Sequence, residues 1–147
     1  MFICGKEKAV SKGTIYMEPN YKNDTDYSQS PAGIRYNLPK KQDYDDEYKR
    51  VHDLVVSQKK LGREIIVVMG LGFVGAVMAA VIANAEDKSG RPSKFVIGLQ
   101  RPSVRSYWKI QALNEGNPPL KAEDAKVAQY IKNCVLEKKT LTATYYI

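Results

Sequence analysis

The stretch "EIIVVMGLGFVGAVMAAVIANAED", Glu64–Asp87, decides the fold. From Ile65 to Ala85 it bears no charge, and Asn84 is its only polar side chain. Length alone would suit a membrane span, since about 20 apolar residues cross a bilayer. The run is not uniform, however. Glu64–Met69 is a continuous β-branched segment, the mark of a strand buried on both faces. Gly70–Gly75 reads as a turn. Phe73–Ala85 reads as a helix, apolar nearly all round, as expected of one lying between a sheet and its neighbours. There is no GxxxG packing motif. Gly70-Leu71-Gly72-Phe73-Val74-Gly75 is instead a GxGxxG that leaves a strand and opens a helix, the context a dinucleotide-binding turn requires. Gly70 allows the tight turn, Gly72 lets the backbone approach a pyrophosphate, and Gly75 lets the helix pack close on the sheet. The amides of Phe73 and Val74 would then face the phosphates, helped by the helix dipole.

Working outward, the sequence predicts further strands at Lys94–Leu99 ("KFVIGL") and Thr140–Tyr145 ("TLTATY"). Between them fall a short helix, Trp108–Asn114, a break at "EGNPP", and an amphipathic helix, Ala122–Glu137, with Val127, Tyr130, Ile131, Cys134 and Val135 on one face. "DKSGRPS" is a surface loop. The order β-α-β-α-α-β points to an α/β fold, a partial Rossmann unit with a doubly wound parallel sheet, over residues 63–147. Upstream, residues 43–62 predict a helix leading into it. Tyr44, Tyr48, Val51, Leu54 or Val55, and Leu61 recur at helical steps, Asp45, Asp46 and Glu47 suit the first turns, and Lys59 and Lys60 suit the last, before Gly62. Residues 1–42 mix Pro, Asn, Asp, Ser and Tyr without period and read as an irregular arm.

The 147 residues suit one domain and can bury a core. Net charge is +7. Residues 1–60 carry 11 basic and 9 acidic side chains and residues 61–147 carry 12 and 7, so the excess sits in the glycine-rich half. No basic run is interleaved with aromatics, so neither nucleic acid nor a membrane is expected as a partner. Cys4 and Cys134 are too far apart for a disulfide framework or zinc spacing, and no metal site is expected. That cysteine usage fits a reducing, cytoplasmic setting. His52, the only histidine, reads as a surface or half-buried helix residue, and Cys134 as a core thiol.

A dinucleotide site usually has Asp or Glu at the end of the second strand, accepting bonds from the adenosine ribose. Here the strand ends "VIGLQRPS", with Gln100 at that position and Arg101 next. Gln100 can bond a hydroxyl without charge. Arg101 either meets a 2′-phosphate or caps a loop. The cofactor is therefore NAD, with NADP left open.

"IIVVMGLGFVGAVMAAVIA", "FVIGLQ", "KIQALNEGNPPL" and "KKTLTATY" resemble, in the right order, the opening of the UDP-glucose/GDP-mannose dehydrogenase family. "QRPS…RSYWKI" is similar to a branch acting on UDP-N-acetylmannosamine. The resemblance covers residues 64–145, about two-thirds of the family's NAD-binding domain. It implies NAD-dependent oxidation of a sugar C6 alcohol to the uronate, through a thiohemiacetal on a cysteine, with a nucleotide sugar (UDP-linked rather than GDP-linked) as partner. It implies that Gly70, Gly72, Phe73, Val74 and Gly75 cradle the pyrophosphate and that Gln100 replaces the ribose-binding Asp. Lys109 matches a Lys/Arg sometimes near the adenosine end; its plainer reading is a solvated helix residue. "KAEDAKV" departs from the family's Glu-Pro-Gly-Leu. The resemblance also implies that the substrate domain and the catalytic cysteine segment are absent, so the chain alone is expected to be truncated and inactive, with no catalytic residue in it. Lacking a fourth strand, Glu64–Met69 would be an exposed apolar edge, and poor solubility or homo-oligomers are expected. The alternatives are a free-standing nucleotide-binding or regulatory module and, with less in the sequence to support it, a small basic nucleic-acid-binding protein.

Overall fold

In the computed structural model, which describes residues 26–119 and 125–146, the decisive stretch divides in two. Strand β3, Glu64–Met69, runs to Gly70, and helix α2, Phe73–Ala83, begins three residues later. Elements preceding them are strands β1 (Tyr27–Gln29) and β2 (Arg35–Asn37) and helix α1 (Lys41–Lys60). After α2 come β4 (Lys94–Leu99), α3 (Tyr107–Asn114), α4 (Ala125–Lys132) with a wider π-type turn over Asn133–Glu137, and β5 (Leu141–Thr144). Among the described residues no helix is long and apolar enough to cross a membrane.

Strands β3, β4 and β5 form a parallel sheet in that order, with Val67 beside Ile97 and Ile97 beside Thr142. This is the sheet of a partial Rossmann-type α/β fold. Strand alternation puts Ile66, Val68, Val96, Gly98, Leu141 and Ala143 on one face. They pack into a core with Ala79, Ala80 and Ala83 of α2, Ile131 of α4, and Cys134 and Val135. The other face carries Phe95, Ile97, Thr142 and Thr144, and α1 lies against it. The Thr144 hydroxyl donates to Glu47 at 2.6 Å, and the Arg50 guanidinium donates to Thr142 Oγ1 at 3.0 Å.

The two edges of the sheet differ. At β5, Ala143 turns its N–H and C=O away from β4. The Asn114 carboxamide takes both, accepting from Ala143 N at 2.7 Å and donating to Ala143 O at 3.0 Å. Arg50 donates to the same carbonyl at 2.9 Å while holding Glu47 through two nitrogens. At β3, alternation turns the backbone groups of Ile65, Val67 and Met69 outward, because Glu64 N and Gly70 N bond toward the β4 side.

Four sequence expectations are corrected. First, β3 is not buried on both faces. It is the outer strand of the three, and Val67 and Met69 are 55% and 77% exposed. Second, α2 is not covered all round. Ala76, Ala79, Ala80 and Ala83 face the core, while Phe73, Val74, Met78 and Val81 are exposed. Third, α1 only half-buries the stripe its apolar spacing suggests, at Tyr44, Val51, Leu54 and Val55. Its buried residues are Glu47 and Gln58, Tyr48 is exposed on the helix, and Leu61, the residue that ends it, is exposed too. Glu47 is interior because α1 covers the two threonines of β5, which need hydrogen-bond partners, and Gln58 because it accepts from the Arg63 guanidinium at 2.6 Å. Fourth, the described part of the supposed arm is an antiparallel hairpin, Tyr27 opposite Asn37. Three-residue strands are too short to show a period of two. Ser28 of this hairpin is buried, and its hydroxyl accepts the Trp108 N–H at 3.1 Å, supplying a cap to α3 that α3 lacks locally. Residues 1–25 of the arm and 122–124 of the predicted helix lie outside the described residues.

Candidate functional site

The turn from β3 into α2 is built by its glycines and by Leu71. Gly70 has φ +87°, a left-handed conformation that glycine adopts without strain. Its N–H still bonds Leu99 O at 2.7 Å, so the turn starts from a fixed rung of the sheet. Leu71 then drops its side chain into the core, fully buried, against Gly98 of β4. A Cβ on Gly98 would lie 2.6 Å from Leu71 Cδ2, so any side chain there would require Leu71 to move. Gly75 is held more closely still, and by backbone. A Cβ on it would lie 1.8 Å from the Gly70 carbonyl oxygen. Gly72 is the opposite case, since a Cβ on it would meet nothing within 4 Å.

Gly72 is the N-cap of α2, and the first intrahelical bond is Ala76 N to Gly72 O at 3.0 Å. The amides of Phe73, Val74 and Gly75 precede that bond, and among the described residues no side chain caps them. Phe73 and Val74 are 59% and 66% exposed, so this end of the helix opens to solvent. A run of free N–H donors at a positive helix end, beside a glycine with open space over it, fits a diphosphate. The residues present therefore suit the pyrophosphate of a dinucleotide.

Gln100, the residue after β4, stands against this turn. Its Oε1 accepts the Leu71 N–H at 2.8 Å, and its Nε2 lies 3.4 Å from Arg101 O. Arg101 is exposed and leads a loop pinned from within. Ser106 Oγ donates to Arg101 O at 2.7 Å, Ser103 and Ser106 hydroxyls lie 2.7 Å apart, and Trp108 Nε1 donates to Arg105 O at 3.0 Å. Lys109 belongs to another element, the first turn of α3, with its ammonium 5.9 Å from the Trp108 ring centre. The structure thus gathers Gly70, Gly72, Phe73, Val74, Gly75 and Gln100 at one turn, sets Arg101 next to it, and puts Lys109 on the following helix.

Sequence reasoning missed Leu71, Gly98 and Asn114. A single glycine inside a strand pattern is a sign of close backbone approach, and Gly98 carried it. Asn114 left no local signal, because its partner is 29 residues away. Cys134 is fully buried, and burial pushes its thiol up from the ordinary range, against a smaller opposing contribution from Thr140. Cys4 lies outside the described residues. Among the described residues no cluster of three or more His, Cys, Asp or Glu could hold a metal. A separate cavity of about 450 Å³ opens between α1 and α3, lined in part by Glu47, Arg50, Gln58 and Asn114. Those polar groups are committed to one another, to Arg63 and to β5.

No family model matches the chain. No curated protein matches it. Among solved structures it is similar to the crystal structure of NDP-N-acetyl-D-galactosaminuronic acid dehydrogenase from Methanosarcina mazei Go1. The two are 33% identical, the likeness covers 62% of this chain and 18% of that one, and the TM-score is 0.48. The chain therefore spans less than a fifth of that protein's length.

Proposed function

We propose that this chain forms the nicotinamide-dinucleotide-binding part of a nucleotide-sugar 6-dehydrogenase. The observation that carries the reading is the turn itself: a left-handed Gly70, an open Gly72 and an uncapped α2 N-terminus behind a parallel strand. Gly70 turns the chain, Leu71 anchors it, and the amides of Phe73, Val74 and Gly75 donate to the pyrophosphate. Gln100 and Arg101 take the adenosine ribose, with Lys109 beyond them. The bound nicotinamide supplies a hydride acceptor. The contribution of this chain is binding and orientation, and the reacting alcohol and catalytic cysteine belong elsewhere. The sugar-nucleotide assignment is supported by the four family-like segments, which become β3–α2, β4, α3 with its following loop, and β5.

A second reading, a free-standing nucleotide-binding module, is favoured by α1. That helix covers the sheet face where a doubly wound fold sets the helices of its second half. Calorimetric titration of the chain with NAD⁺, NADP⁺ and ADP tests both. The dehydrogenase reading expects the dinucleotides to bind more tightly than ADP. Equal affinities favour the module. No binding of any of the three at millimolar concentration, by a chain whose circular dichroism is folded, overturns the site.

A further inference from the structure

The end of β4 carries a specificity for the ribose that the glycine turn does not. An acid at this position accepts a bond from the ribose 2′-hydroxyl and repels a 2′-phosphate. Gln100 has no charge with which to repel a 2′-phosphate, and it accepts from a hydroxyl less strongly than a carboxylate does. Its oxygen already accepts the Leu71 N–H at 2.8 Å, and its amide nitrogen, 3.4 Å from Arg101 O, keeps a second N–H that can donate to an anion. Arg101 follows at once, exposed, and it forms no ion pair with the described residues. From Gln100 to Asn114 the chain has Arg101, Arg105 and Lys109 and no carboxylate. The loop is also fixed in place. Ser106 Oγ donates to the Arg101 carbonyl at 2.7 Å and so ties the arginine backbone to the start of α3.

Resting on the dinucleotide reading above, we infer that this site prefers a 2′-phosphorylated dinucleotide, NADP(H), over NAD(H), with Arg101 as the specificity-determining residue and Gln100 as its permissive neighbour. Arg101 donates in a fork to the 2′-phosphate, an arrangement that lysine does not reproduce. The nearby Arg105 and Lys109 add a field of the same sign, which salt screens.

The test is equilibrium titration of the 147-residue chain with NADP⁺, NAD⁺, 2′,5′-ADP and 5′-AMP at low and high salt, followed by calorimetry. NADP⁺ is expected to bind about tenfold more tightly than NAD⁺, and 2′,5′-ADP more tightly than 5′-AMP by a similar factor, with both gaps shrinking in salt. Arg101→Gln is expected to abolish the gap, and Arg101→Lys to retain only part of it. NAD⁺ binding as tightly as NADP⁺ overturns the preference while leaving the dinucleotide site standing. An undiminished gap in a folded Arg101→Gln chain overturns the role of Arg101. Failure of both dinucleotides and both mononucleotides to bind overturns the underlying site instead.

Discussion

Gly72 and Gly75 lie three residues apart in one turn and are bare for opposite reasons. Gly75 is bare because backbone fills the space: its Cβ would meet a carbonyl oxygen at 1.8 Å, and neither partner is a flexible side chain. Gly75→Ala is expected to lower folding stability by roughly 1–3 kcal/mol. Gly72 has an extended φ of −74° and open space where its Cβ would go, so the fold does not require glycine there. Gly72→Ala is expected to cost about 1 kcal/mol or less in urea unfolding, yet to weaken dinucleotide binding about tenfold or more by standing between the amides and the pyrophosphate. If Gly72→Ala leaves binding unchanged, the approach of a ligand over this residue is refuted. The thiol at Cys134 offers a second check at this scale. It is fully buried and its ionisation is pushed up by desolvation, so it stays protonated at pH 8. In a Cys4→Ser background, a thiol reagent at pH 8 is expected to label Cys134 only as the chain unfolds, with a rate that follows denaturant concentration. Rapid labelling of the native chain would place that residue at a reactive surface.

At the scale of elements, the sequence disclosed what depends on neighbours along the chain and hid what depends on contacts across it. The strand, the glycine turn and the helix after it were legible because the β-branched run, the three glycines and the apolar segment are contiguous. β4 was legible for the same reason, down to its ends at Lys94 and Leu99. The buried face of α1 was not, since Glu47 and Gln58 become interior residues only through β5 and Arg63. Nor was the second duty of Gln100, whose bond to Leu71 spans 29 residues. The family-like "LNEG" segment illustrates both. Gly116 has φ +81°, a glycine stop that the sequence announces. Asn114 instead caps the β5 edge, giving Ala143 the two hydrogen bonds that a neighbouring strand would give. Asn114→Ala therefore leaves the Ala143 N–H without its partner, while Arg50 still serves the carbonyl. The expected cost is about 1–3 kcal/mol, seen as a lower urea midpoint with an unchanged slope. An unshifted midpoint would mean that water replaces Asn114 at that edge.

At the scale of the whole molecule, the decisive contrast is between a β5 edge capped at Ala143 and a β3 edge with no such cap among the described residues. Among the described residues the outward backbone groups of Ile65, Val67 and Met69 meet no neighbouring strand, and Val67 and Met69 add exposed apolar surface beside them. On α2, Val74, Met78 and Val81 are exposed as well. A flat apolar strand edge is a template for pairing with another chain unless charge or a bulge blunts it, and β3 has charge only at its first residue, Glu64, which is ion-paired to Lys94. The opposing influence is the net charge of +7, which repels like chains and is screened by salt. The chain is therefore expected to self-associate with rising concentration, more strongly at high ionic strength than at low. The double variant Val67→Lys, Met69→Lys is expected to shift the distribution toward monomer, because edge lysines repel a pairing strand without touching the α2 core. Sedimentation velocity across a wide concentration range, at two salt levels, reads both effects. Two other sources of self-association separate cleanly from this one: an electrostatic contact would weaken with salt, and an α2-face contact would survive the two lysines. A sharp monomer with a cooperative melt at every concentration would mean that the β3 edge is covered by part of the chain outside the described residues.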